Sequence, residues 1–100
     1  SSTAWILKKN TLYTTPLSNS ILKGITRQSL INGLKKHKLK LIEKKFNIKD
    51  IKNSDEAFIT SATQYVMPVI QVDSYKIGNG RIGKYAETFK KVYMEAIKLS

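Results

Sequence analysis

Over residues 82–99, the apolar side chains Ile82, Tyr85, Ala86, Phe89, Val92, Tyr93, Ala96 and Ile97 fall on one stripe at helical spacing. Lys84, Lys90, Lys91 and Lys98 lie off it. A helix with one apolar face must lay that face on a partner surface, and the lysines on the other side suit a sheet rather than a membrane. In a chain of 100 residues the surface has to come from short β-prone runs upstream. That length accommodates one domain, or one piece of a larger domain.

The runs are present in order. Residues 4–7 and 12–14 read as strands, joined by a turn at Lys9-Asn10 in which asparagine takes the positive φ. Pro16, Ser18, Asn19 and Ser20 mark a loop. Leu30, Ile31 and Leu34 recur at helical spacing within 26–38, with Thr26 placed to cap. Residues 39–46 read as a strand with a charged outer side. Residues 47–52 form one helical turn capped by Asn47, with Asp50 three residues on and Ile48 and Ile51 facing inward. Residues 57–60 are a buried strand, 66–72 a strand that tolerates Pro68 at an edge, and Asp73-Ser74 a turn returning through 75–77. Gly78-Asn79-Gly80 and Gly83 connect to the last helix. The order predicts a mixed α/β or α+β fold, a sheet covered by two main helices, with no internal repeat and no low-complexity linker.

Charge narrows the function classes. The chain carries 18 Lys+Arg against 7 Asp+Glu, a net charge of +11, and all the basic residues but Arg27 and Arg81 are lysines. Phosphate neutralisation would favour a basic nucleic-acid-binding domain, but recognition of bases and phosphates prefers the arginine fork. Trp5, Phe58 and Phe89 sit in apolar patterns that read as core rather than as a stacking surface. The lysine run from Lys35 to Lys45 is expected to be a solvated face, and its field would also steer a small anion. There is no cysteine, so neither a disulfide nor a thiolate metal site can form, and His37 is the one histidine. No segment approaches the roughly 20 apolar residues of a spanning helix. A soluble, cytoplasmic chain is expected.

Two segments could carry chemistry. Gly24-Ile25-Thr26 brings a glycine and a hydroxyl into a helix N-terminus. This is either an ordinary capped start or an anion site whose free amides and dipole meet a phosphate. Thr60-Ser61-Ala62-Thr63, small and hydroxylic after a buried strand, is either a tight turn or the lining of a ligand pocket. Asp55 and Glu56 are adjacent and point apart, so they make no acid/base pair. No nucleophile or base stands out.

At these residues the sequence meets a family. Leu22-Lys23-Gly24-Ile25-Thr26-Arg27 resembles a signature of the class IV (fold-type IV) pyridoxal-phosphate aminotransferases. So does Asp55-Glu56-Ala57-Phe58-Ile59-Thr60-Ser61-Ala62-Thr63, followed by Pro68-Val69 and Ile77-Gly78-Asn79-Gly80. Ser1-Ser2-Thr3-Ala4-Trp5 resembles the segment after the family's threonine–glutamate–glycine motif. The likeness runs through essentially the whole chain, in order and spacing, and is most similar to the D-amino-acid (D-alanine) aminotransferase branch.

The resemblance implies pyridoxal 5'-phosphate as cofactor. The amides of Ile25 and Thr26 and the Thr26 hydroxyl, on the loop opened by Gly24, would hold its phosphate, with Leu22 against the pyridine ring. Ser61 and Ala62 would add phosphate donors, and Ala62 and Thr63 would face the substrate carboxylate. Many members carry threonine where Ala62 stands, which removes one hydroxyl and leaves the backbone donors. Thr3 replaces a common asparagine, and Ser74 a turn glycine.

The family's Schiff-base lysine, its pyridinium-binding glutamate and its small N-terminal domain match nothing in this sequence. The chain is therefore expected to be a single fragment, residues 1–100, from the C-terminal portion of the large domain. It would contain no catalytic residue and be inactive alone. The parent would transaminate D-amino acids with a 2-oxo acid acceptor. Branched-chain L-amino-acid aminotransferase and aminodeoxychorismate lyase are the alternatives within the family. A homodimer is implied, with no nucleic-acid, membrane or metal partner.

Overall fold

A computed structural model describes residues 2–16, 27–61 and 66–98. Strands β1 (Ser2–Lys8) and β2 (Thr11–Thr14) form an antiparallel hairpin. Its positive φ, 57°, falls on Lys9 rather than on Asn10. The sequence hides this because the cause is remote: Asp55 Oδ2 accepts from the Lys9 amide at 2.7 Å. Helix α1 (Arg27–Lys35) crosses over to β3 (Lys40–Glu43), which pairs parallel with β2. The short helix α2 (Ile48–Lys52) leads to β4 (Glu56–Ser61), antiparallel to β1, and β5 (Val66–Val69) closes the sheet in the order β3-β2-β1-β4-β5. A two-stranded ribbon, β6 (Gln71–Val72) and β7 (Tyr75–Lys76), precedes α3 (Tyr85–Lys98). The fold is the expected mixed α/β arrangement.

Side-chain alternation divides the sheet into two faces. Trp5, Leu7, Leu12, Phe58 and Val66 point to one side, where they meet Leu30 and Leu34 of α1 and Ala86, Phe89, Val92, Tyr93 and Ala96 of α3. Phe89 is the hub, with its ring centroid 5.2 Å from Trp5, 5.1 Å from Phe58 and 5.8 Å from Tyr93. Helices α1 and α3 approach so closely that a Cβ on Gly33 would lie 2.8 Å from Val92 Cγ1. On the other face Ile6, Ala57 and Ile77 form a smaller cluster with Tyr13, Phe46, Ile51, Val69 and Val72. Its cover is incomplete: Ile42, Ile59, Met67 and Ile70 are between 41% and 51% exposed.

Several boundaries differ from the sequence expectation. Helix α1 stops at Lys35, three residues early, because Lys38 turns left-handed at φ 60°. Leu39 N then bonds Leu34 O at 3.1 Å and Lys38 N bonds Lys35 O at 3.0 Å, which is Schellman closure with lysine in the usual glycine place. The following strand occupies Lys40–Glu43 rather than 39–46. Asn47 and Asp50 make the expected reciprocal capping box, but Ile48 is 53% exposed; only Ile51 turns inward, because α2 is a single turn and presents one position to the sheet. The strand expected over 66–72 breaks at Ile70, whose carbonyl is taken by Ile77 N at 2.9 Å as the ribbon folds back around Asp73 at φ 54°. Pro68 lies on edge strand β5 as expected. Ile82 precedes α3 and is 65% exposed, outside the helix stripe to which its spacing assigned it.

Candidate functional site

Strand direction places the candidate segments. β2 and β3 end at Thr14 and Glu43, β4 ends at Ser61, and β1 and β5 begin at Ser2 and Val66, all on one edge of the sheet. The registers Trp5↔Thr14, Thr14↔Glu43, Ser2↔Ser61 and Thr60↔Val66 fix this. The described residues that flank 17–26 and 62–65, namely the ends of β2 and β4 and the start of β5, therefore all stand at that edge. β2 and β4 flank β1, which sets their ends about 10 Å apart. The first described turn of α1 is held at the same edge by a forked ion pair, Arg27 Nε to Glu43 Oε2 at 2.7 Å and Arg27 Nη2 to Glu43 Oε1 at 3.1 Å. A parallel strand–helix–strand crossover presents its helix N-terminus beside the strand carboxyl ends, the usual place for a phosphate in such units.

Of the residues singled out in the sequence, Leu22, Gly24, Ile25, Thr26, Ala62 and Thr63 lie outside the described residues. Ser61 is described: it is the last residue of β4, half-buried, opposite Ser2. The charges described around it suit an anion. The first turn of α1 contains no acidic residue, Glu43 is engaged by Arg27, and the chain's field is strongly positive. The Thr14 hydroxyl is spent on structure, donating to Ala4 O at 3.1 Å.

Beneath the edge is a polar contact the sequence reading missed. Trp5 Nε1 donates to Thr60 Oγ1 at 2.8 Å, with both residues buried. The Tyr93 hydroxyl lies near the same Thr60 oxygen. Burial raises the Tyr93 pKa and the Thr60 contact opposes that rise, yet the pair falls short of hydrogen-bond geometry and the phenol oxygen has no partner among the described residues. The bond at Thr60 that meets hydrogen-bond geometry is the one from Trp5. The signal was a hydroxyl on the apolar side of β4's alternation, two residues after Phe58.

The carboxylates serve the opposite edge. Glu56 Oε2 accepts from Tyr85 N at 3.2 Å, at the start of α3. Its pKa is raised, first by burial and then by neighbouring Asp55, against the Tyr85 amide and Lys84, which lower it. Asp55 holds the β1–β2 turn, so the two carboxylates indeed make no acid/base pair. His37 is exposed beyond the C-terminal end of α1. A cavity of about 200 Å³ lies on the other sheet face, lined by residues including Ile6, Tyr13 and Phe46. The lysines at its rim are already engaged: Lys8 Nζ donates to Asn53 O at 2.7 Å, and Lys44 Nζ sits 5.2 Å over the Tyr13 ring. The candidate site is thus the edge where the strand ends meet the start of α1, and not the cavity.

Residues 1–72 match the sequence profile described as amino-transferase class IV. The chain is 34% identical to a D-alanine aminotransferase of Bacillus licheniformis over 97 residues, covering 97% of this chain and 34% of that protein. It is 36% identical to a branched-chain-amino-acid aminotransferase of Pseudomonas aeruginosa over 93 residues, 93% of this chain and 30% of that one. The crystal structure of the T.th. branched-chain amino acid aminotransferase with pyridoxamine 5'-phosphate superposes with a TM-score of 0.76 at 27% identity, covering 96% of this chain and 31% of its own. The chain therefore spans about a third of the length of these relatives.

Proposed function

The chain belongs to the class IV aminotransferases, and from that premise we propose that it is the C-terminal part of the cofactor-binding domain of an enzyme that moves amino groups between amino acids and 2-oxo acids. The observation that carries this is that Thr14, Ser61 and Val66, the described residues at the strand ends that flank 17–26 and 62–65, stand at one sheet edge beside the start of α1, whose first turn holds no carboxylate.

Pyridoxal phosphate, when bound, supplies the electron sink for the reaction. The residues of this chain bind and orient. The Ile25 and Thr26 amides and the Thr26 hydroxyl, with Gly24 beside them, would hold the phosphate together with Ser61 and Ala62, and Leu22 would serve the ring. Ala62 and Thr63 would orient the substrate carboxylate, and that orientation would select the enantiomer. The family's Schiff-base lysine matches no residue of this sequence, so residues 1–100 alone would not transaminate. The same reading makes the enzyme a cytoplasmic homodimer with no nucleic-acid partner; among the described residues no helix is long and apolar enough to cross a membrane.

We assign D-amino acids, D-alanine above all, as substrates, in line with the Bacillus licheniformis relative. The second reading, branched-chain L-amino acids, is favoured by the Pseudomonas aeruginosa relative and the T.th. structure. Recording the cofactor absorbance of the full-length protein during additions of D-alanine and then L-leucine tests both. Conversion to the pyridoxamine form by D-alanine alone supports the first reading, and conversion by L-leucine alone replaces it with the second. A protein that takes up no cofactor overturns both.

A further inference from the structure

Thr60 is a hydroxyl where β4's alternation calls for an apolar residue. It shares the helix-facing side of the strand with Phe58 and is 1% exposed. Its oxygen accepts the indole N–H of Trp5, a residue 55 positions away that is itself fully enclosed, its ring 5.2 Å from Phe89 and 6.3 Å from Tyr93. An indole N–H buried without a partner is costly, so Trp5 holds Thr60 to one rotamer and one height on the sheet. Thr60 is also the last position at which β4 is paired on both sides, to Thr3 of β1 and Val66 of β5. The next residue is Ser61, at the edge where the phosphate seat lies.

We propose that Trp5 is a positioning residue for the cofactor: through its bond to Thr60 it fixes the end of β4 and so the position of Ser61 against the phosphate. This rests on the reading of Ser61 as part of that seat. A valine at position 60 would fill the same volume, and what it would lose is the acceptor that ties the strand end to the aromatic core. The bond pins the strand end from beneath, on the helix-covered side, where it does not compete with a ligand at the edge for donors.

The test uses the full-length protein stripped of cofactor and titrated with pyridoxal phosphate. Absorbance gives the affinity, and the phosphorus resonance of the bound cofactor reports the seat itself. Thr60→Val leaves the indole N–H unpaired, Trp5→Phe removes the donor while keeping a ring against Phe89, and Thr60→Ser retains the acceptor. We expect Thr60→Val and Trp5→Phe each to weaken binding about tenfold and to shift the phosphorus resonance. The double variant should be no weaker than the worse single one, and Thr60→Ser should bind within about twofold of the natural protein. If Thr60→Val fails to fold, Trp5→Phe against Thr60→Ser still decides. Variants that lose thermal stability but keep the natural affinity and resonance would show the bond to be a core contact only, and would overturn the proposal alone. A natural protein that is folded yet takes up no pyridoxal phosphate would overturn the Ser61 reading and the proposal together.

Discussion

Glu56 shows how far a single side chain can be read. The sequence placed it beside Asp55 and denied the pair an acid/base role, and the two carboxylates do serve different elements. What it could not reveal is that the Glu56 carboxylate turns under the start of α3, where a Cβ on Gly83 would collide with it. One of its oxygens has no partner among the described residues. Its folded-state pKa is raised above 4.5. Between 4.5 and that raised value the folded chain keeps a proton the unfolded chain has released, so stability from this group falls as pH rises through the window and is greatest below it. Glu56→Gln keeps an acceptor for Tyr85 N–H and removes the charge. In urea unfolding, its stability relative to the natural chain should improve on going from acidic to neutral pH; a difference independent of pH would refute the linkage. The Trp5–Thr60 bond escaped the sequence reading for a related reason. A polar residue on an apolar face shows in the alternation, but its partner shows only once the β1–β4 register is known.

Elements were legible where the causal residues are neighbours. The α3 stripe from Tyr85 onward, the Asn47–Asp50 capping box and the Asp73 turn all depend on residues within a few positions, and all formed. Helix α1 ran too long in the sequence reading because its stop is a left-handed lysine, Lys38, in place of a glycine. The α1–α3 contact makes a sharp prediction. Gly33 faces Val92 Cγ1 at a distance where a methyl group cannot fit without displacement. Alanine at position 33 gains up to about 1 kcal/mol in helix propensity, but forced overpacking costs about 1–3 kcal/mol. Gly33→Ala should therefore destabilise by about 1 kcal/mol in denaturant titration. The same substitution in a Val92→Ala background should stabilise, because the obstructing methyl groups are gone. Stabilisation in both backgrounds would mean that the helices have room to separate.

At the scale of the molecule, the sequence yielded the class of fold, but not the parallel β2–β3 pair or the edge shared by the ends of β2, β3 and β4. Those follow from strand order, which no local pattern encodes. The less-covered sheet face has a direct consequence. Ile59 and Met67 are register partners, 43% and 51% exposed, on a surface that also bears Ile42, and apolar ground of this kind draws proteins together. Residues 1–100 alone should self-associate in sedimentation velocity, and Ile59→Lys with Met67→Lys should shift the boundary toward monomer; a clean monomer for the unaltered chain would refute this. The position of β1, central in the sheet between one strand near in sequence and one far from it, also bears on how the fold is reached. Its partner on one side is the adjacent β2, but on the other it is β4, separated from it by the whole crossover. The entropy of closing that long loop is spent before the aromatic contacts it enables return anything, which makes joining β4 to the hairpin the slow step. During synthesis the β1 edge therefore stands open until residues 56–61 have emerged, and in that interval an unpaired apolar strand is offered to whatever chain is nearby.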